Sequence, residues 1–195
     1  MRIPDTEFTS RPWRIHEFID GFVLEDVWAM PISGGPDDLS TVVAYATSDK
    51  NTSLSSNVVV RELFALRWRL GKLLGWDSER QQVGKRAVSL RDGLPEDLLA
   101  VRGPDMVTTP FKSVYLTHDE WAAEFSASMG HIVMHHGWVK KDDGTYYSQM
   151  TALVKPYGFF GKLYMAAINP IRRLVVYPLQ AKAIRREFPQ LHPQP

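Results

Sequence analysis

His131, His135 and His136 are the residues whose spacing first suggests chemistry. On a helix, H-x-x-x-H places two imidazoles on one face, as zinc sites require. The run from Met129 to Val139 is strand-like instead. On a strand His131 and His135 stand about 13 Å apart, at roughly 3.3 Å per residue, and His135 and His136 face opposite sides. Chelation fails on that geometry, so no metal is expected, and a single histidine such as His131 is left as an acid/base candidate. Asp26 is the second candidate, because it shares an alternating face with Phe22, Leu24, Trp28 and Met30. Burial there would raise its pKa and make it a general acid/base, or the polar anchor for a ligand hydroxyl. A buried aspartate that accepts hydrogen bonds from the backbone or an arginine is the structural alternative. Trp28, Tyr115, Trp138, Tyr147 and Tyr164 would line a site for a ring-bearing molecule, with Glu124, His135 and Gln149 as polar contacts. Each of these side chains is also ordinary core material.

Such residues need elements to hold them. Phe22 to Met30 alternates as a strand, and Asp37 or Asp38 caps a short helix carrying Leu39, Val42, Val43 and Ala46. Val59, Leu63, Leu66, Leu70 and Leu73 recur every three to four residues, which predicts a second helix ending at Gly75. Val83 to Leu90 and Phe111 to Leu116 read as strands, and Pro95 opens a short helical piece reaching about Val101. Thr117 with Glu120 resembles a helix capping box, but strand is favoured from Phe125 onward. Asp143-Gly144 signals a hairpin between Met129–Val139 and Thr145–Lys155. Pairing Lys140 with Thr145 would set His136 opposite Gln149 and His131 opposite Val154. Finally, Gly158 to Phe188 is a long helix with Leu174, Tyr177, Ala181, Ile184 and Phe188 along one stripe. Pro178 removes the amide that would bond to the Leu174 carbonyl, and Pro170 invites a new segment, so the helix should kink.

The 195 residues, 44% hydrophobic and 23% charged, suit one domain with a real core. We expect an arm over residues 1–11, a domain over 12–188 and a tail over 189–195. With no cysteine, disulfide, thiolate and iron–sulfur chemistry are excluded. The opening MRIPDTEFTSRPWR has no apolar signal core, and no apolar run is long enough to span a bilayer, so a soluble, unprocessed, cytoplasmic protein is expected. Phosphate loops, dinucleotide fingerprints and nucleophile elbows are missing, and no nucleic-acid module pattern occurs. No cofactor is expected. After Gly144 the only acid is Glu187, so the basic C-terminal region would allow peripheral contact with an anionic membrane surface.

Several motifs together resemble one family. They are S-L-R-D-x-L-P-x-D-L at Ser89–Leu98, V-Y-L-T-x-D-E-W-A-A-E at Val114–Glu124 and H-x-V-M-H-x-G-W-V at His131–Val139. V-K-P-x-G at Val154–Gly158 and G-x-x-Y-M-A-A-I-x-P-x-R-x-L-V-V-Y-P at Gly161–Pro178 complete the set. Over roughly Arg11 to Phe188 the chain is similar to the bacterial family known as domain of unknown function 2867, although Ala127 and Met129 stand where that family carries Asn and Thr. That family is grouped with the START-like, helix-grip superfamily, whose members include lipid carriers, hormone receptors and polyketide cyclases. The resemblance implies an α+β fold, with a curved antiparallel sheet wrapped around a long kinked C-terminal helix and two helices after the first strand. It also implies a cavity for a hydrophobic or amphipathic small molecule.

Three functions follow as alternatives. The first is a binding protein for such a molecule. The second is a cofactor-free cyclase or dehydratase using Asp26 or His131 in the same cavity. The third is a protein-interaction module whose cavity is filled by its own side chains. Oligomeric state is left open.

Overall fold

The computed structural model describes residues 1–49, 65 and 87–191. The helix predicted from Val59 to Leu73 lies outside them, apart from residue 65, as does the first half of the strand predicted from Val83 to Leu90. Among the described residues, five strands form one antiparallel sheet in the order β1-β5-β4-β3-β2. They are β1 (Val23–Gly34), β2 (Lys112–Leu116), β3 (Glu120–Ala127), β4 (Gly130–Lys140) and β5 (Tyr146–Pro156). Short helices α1 (Thr6–Thr9), α2 (Leu39–Thr47) and α3 (Glu96–Leu99) precede or interrupt the strands. A long C-terminal helix follows them, made of α4 (Gly158–Ile171), a wide π-type turn (Arg172–Val176) and α5 (Tyr177–Leu191). This is a mixed α+β fold in which a five-stranded antiparallel sheet packs against a long kinked helix, a helix-grip arrangement.

Both faces of the sheet are covered. On one, Trp28, Met30, Trp121, Trp138 and Met150 pack with Leu39, Val42 and Val43 of α2 and with Ile184 and Phe188 of α5. On the other, Phe8, Trp13, Ile15, Leu94 and Leu98 cover Val27, Tyr115, Ala122, Val133 and Leu153. The residues read as an N-terminal arm therefore carry core side chains. Met1 and Ile3 also bond to the outer edge of β1: Ile3 N–H donates to Val27 O (2.9 Å) and Ala29 N–H to Met1 O (2.8 Å). Docking of this kind occupies edge groups that would otherwise pair with another chain.

Several local readings need correction. A bulge between Leu24 and Asp26 breaks the strict alternation of β1. Leu24 lies opposite Leu153 and joins the Val27 side, while Asp26 and Trp28 lie opposite Ala152 and Met150 on the helix side. An extra residue does this because it turns the following side chains to the other face. The β4–β5 register is one residue from the expected one: Lys140 pairs with Tyr146, His136 with Met150 and His131 with Lys155. Gly144, at φ 85°, and Asp143, whose Oδ1 accepts the Thr145 N–H at 2.9 Å, fix the longer loop. A one-residue slip reverses the face relationship across a pair, so His136 and Gln149 lie on opposite faces.

Thr117 caps no helix. Its Oγ1 accepts the Glu120 N–H at 3.0 Å within a turn, and β3 begins at Glu120 rather than Phe125. Around Leu90, where a strand was expected to end, the chain forms a 3-10 turn over Leu90–Gly93, and the Ser89 side chain accepts from Arg91 N–H. Asp38 stands at the start of α2 without a side-chain cap; its Oδ2 turns back to accept the Gly35 N–H at 2.7 Å.

The long helix departs most from its predicted stripe. Tyr177, Ile184 and Phe188 pack inward as expected, but Leu174 is 77% exposed and Val176 is buried in its place. The wide turn is the reason. It inserts itself between Pro170 and Pro178, neither of which can donate an amide, and it shifts the helical phase.

Candidate functional site

The helix side and the opposite side of the sheet use their polar residues differently. On the helix side the wide turn directs Arg172 and Arg173 onto Asp26, which is completely buried. Arg173 Nε donates to Oδ1 at 2.5 Å and Arg172 Nη2 to Oδ2 at 3.2 Å, with Arg2 Nε at 3.8 Å. Arg172 also donates to Asn169 Oδ1 (3.0 Å) and to the Tyr177 hydroxyl. Asp26 is thus an anchor for the helix, occupied by guanidinium groups. Burial raises the Tyr177 phenol above its ordinary value, against the pull of Arg172.

Around this anchor the helix side is apolar and rich in rings. Trp28 lies 5.1 Å from Tyr177, Trp121 5.6 Å from His136, and Trp138 stacks on Tyr146 at 6.2 Å. Trp121 Nε1 donates to Ser113 Oγ at 3.0 Å and Trp138 Nε1 to Gly35 O at 2.8 Å. Trp28 Nε1 is also buried, yet among the described residues it has no acceptor. His136 pairs with Ser148 Oγ at 2.8 Å, and burial drives its pKa down to about 3, so it is neutral.

The opposite side carries two carboxylate–imidazole pairs built alike. Glu120 sits opposite Gly137 and reaches diagonally to His135 (3.0 Å), and Glu124 sits opposite Val133 and reaches diagonally to His131 (2.8 Å). Each carboxylate also holds a covering segment. Glu120 accepts the backbone N–H groups of Arg14 (2.6 Å) and Ile15 (3.4 Å) and the Tyr115 hydroxyl (2.8 Å). Glu124 accepts the Ser89 hydroxyl (2.5 Å) and the Leu90 N–H (3.0 Å). Burial works against the Glu120 charge, but the hydrogen bonds from His135, Arg14 and Tyr115 outweigh it and hold its pKa below the usual carboxylate range. Burial pushes His135 below its ordinary value, against the attraction of Glu120. A carboxylate only accepts, so the shared proton sits on His135 Nε2 and Nδ1 is an acceptor.

The sequence-predicted residues divide between the two sides. Asp26, Trp28 and Trp138 belong to the helix side, while His131, Glu124, His135, Tyr115, Tyr147 and Gln149 belong to the other. Tyr164 lies half-buried on α4. Asp26 and His131, the two acid/base candidates, are separated by the sheet and do not converge on one point. Sequence reasoning offers Glu120 only as half of a capping box, and counts Arg172 and Arg173 only within the basic C-terminal region. The one signal for the arginines was their position between two helix-breaking prolines.

Among the described residues no cluster of three or more histidine, cysteine, aspartate or glutamate side chains is arranged to hold a metal ion. No helix among them is long and apolar enough to cross a membrane. No curated protein and no solved structure matches the chain. Residues 18–179, which include the sheet, both carboxylate–imidazole pairs and the Asp26 anchor, match the family described as protein of unknown function DUF2867, and the chain belongs to that family.

Proposed function

We propose that the protein binds a small hydrophobic or amphipathic molecule between the helix side of its sheet and the long C-terminal helix. The observation that carries this reading is the buried indole of Trp28, whose Nε1–H has no acceptor among the described residues although it lies in a ring-lined, largely apolar cluster. A buried donor left unpaired costs about 1–3 kcal/mol. A ligand carbonyl, ether, hydroxyl or carboxylate placed on Nε1 recovers that cost while its apolar body meets Trp28, Tyr177 and Met150. The wide turn at Arg172–Val176, tied to Asp26, would act as the fixed point about which α5 lifts to admit it.

The enzymatic alternative has less behind it. The carboxylates Glu120 and Glu124 are engaged by covering segments, and Asp26 by arginines. The test is a thermal-shift screen of fatty acids, aromatic polyketide-like acids and plain hydrocarbons. Binding raises Tm. Trp28→Phe, which keeps the ring and removes the donor, is expected to weaken acceptor-bearing ligands about fivefold, the worth of one hydrogen bond, and to leave hydrocarbons unchanged. Equal weakening of both classes would contradict the role given to Nε1.

A further inference from the structure

The outer face of the long helix changes character along its length. Over α4 and the wide turn the exposed residues include Phe159 (82%), Phe160 (52%), Leu163 (56%), Ala167, Pro170, Ile171 and Leu174 (77%), with Lys162 the one charge among the exposed residues there. They recur at helical spacing and form an apolar stripe about 20 Å long at 1.5 Å per residue. Beyond the wide turn the exposed side chains of α5 through Phe188 are Pro178, Lys182, Arg185 and Arg186. One exposed line therefore runs from bulky apolar groups to three bases.

We infer that this face docks the protein on an anionic lipid surface, with the α4 stripe sunk into the interface and the Lys182–Arg186 bases on lipid phosphate and carboxylate groups. Exposed apolar stripes of this extent mark interaction surfaces, and charge selects the occupant. A helix with an apolar face and adjoining bases lies in the plane of a bilayer interface, and negative headgroups add attraction for each base. A second copy of the chain fits poorly. From Lys155 onward the sequence offers Glu187 as its sole acid against seven lysines and arginines, so self-docking would bury bases against apolar groups or against one another. The proposal does not depend on the ligand reading, because it is tested on the protein with no ligand added.

The experiment is co-sedimentation of the full chain with vesicles of phosphatidylcholine alone and of phosphatidylcholine with phosphatidylserine. Binding is expected to the mixed vesicles, to be reversed by salt, and to be far weaker on the neutral ones. The combined variant Lys182→Glu, Arg185→Glu, Arg186→Glu should lose partitioning by at least about fivefold per base. Phe159→Ser with Leu163→Ser should lose it while every charge is retained. All these side chains are exposed, and an unchanged Tm and circular dichroism spectrum confirm that the variants fold. Equal binding to both vesicle types, no binding to either, or retention by both variants overturns the proposal. So does a solution dimer that the Phe159→Ser, Leu163→Ser variant dissociates.

Discussion

Arg173 Nε lies 2.5 Å from Asp26 Oδ1, joining the wide turn of the C-terminal helix to the bulged strand β1. Arg172 takes the other carboxylate oxygen. Strand and helix are 146 residues apart in sequence at this contact, so one buried carboxylate closes the fold. Asp26→Asn leaves two guanidiniums facing a neutral amide. Removing one partner of a buried charge cluster costs about 3 kcal/mol or more. Urea denaturation should show that loss, and limited proteolysis should show new cleavage near Arg172–Arg186. A loss under about 0.5 kcal/mol, the range of ordinary surface substitutions, would mean that the anchor is unimportant.

The two carboxylate–imidazole pairs act locally and separately. Glu120→Gln should speed amide exchange at Arg14 and Ile15 and leave Leu90 protected, whereas Glu124→Gln should do the reverse. Each should cost about 2 kcal/mol, as expected for hydrogen bonds to a buried charged acceptor. Hydrogen–deuterium exchange read by NMR resolves the two sites, and a uniform effect of either variant would contradict the assignment.

Stability should fall on acidification, starting near neutrality. His135 and His136 have folded pKa values below the ordinary histidine value of about 6.5. Above that value both states are neutral and stability is level. As pH drops below it the unfolded chain takes up protons that the folded chain refuses, at up to about 1.4 kcal/mol per pH unit for each group. For His136 the loss continues to about pH 3. Glu120, also depressed, contributes above the ordinary carboxylate range and loses that contribution as pH falls through its folded value. Urea titrations between pH 8 and pH 4 should show the slope, and His136→Gln should flatten it. A flat profile from pH 7 to 5 in the unaltered protein would contradict the burial of both histidines.

Gly161 holds the start of the long helix against the sheet. A Cβ there would stand 2.2 Å from the backbone oxygen of Met129, which cannot move aside as a flexible side chain would. Gly161→Ala is therefore expected to cost about 2 kcal/mol or more by overpacking, despite alanine's better helix propensity. Gain of stability in thermal denaturation would show that α4 is not seated there.

Much of the architecture was legible because it rests on periodicity. The strands Met129–Val139 and Thr145–Lys155 and the helix after Asp38 appear within a residue or two of their expected bounds, and the long C-terminal helix starts at Gly158 as expected and ends three residues past Phe188. What the pattern hid was phase. A bulge at β1, one additional loop residue between Lys140 and Tyr146 and a wide turn between two prolines each shift side chains to another face without altering the hydrophobic content of the segment. The candidate site suffered accordingly. Asp26 and Trp28 stay together because both follow the bulge, but His131 and Gln149, grouped with them on the sequence, fall on the other side of the sheet. Long-range hydrogen bonds such as Arg14 N–H to Glu120 have no sequence signature at all.

The measurement that bears most directly on the ligand reading is native mass spectrometry of the purified protein, followed by solvent extraction of whatever it carries. A stoichiometric apolar or amphipathic molecule with at least one acceptor group is expected, lost or weakened in Trp28→Phe. A bare polypeptide mass, together with a panel of fatty acids, aromatic acids and hydrocarbons that leaves Tm unmoved, would contradict it.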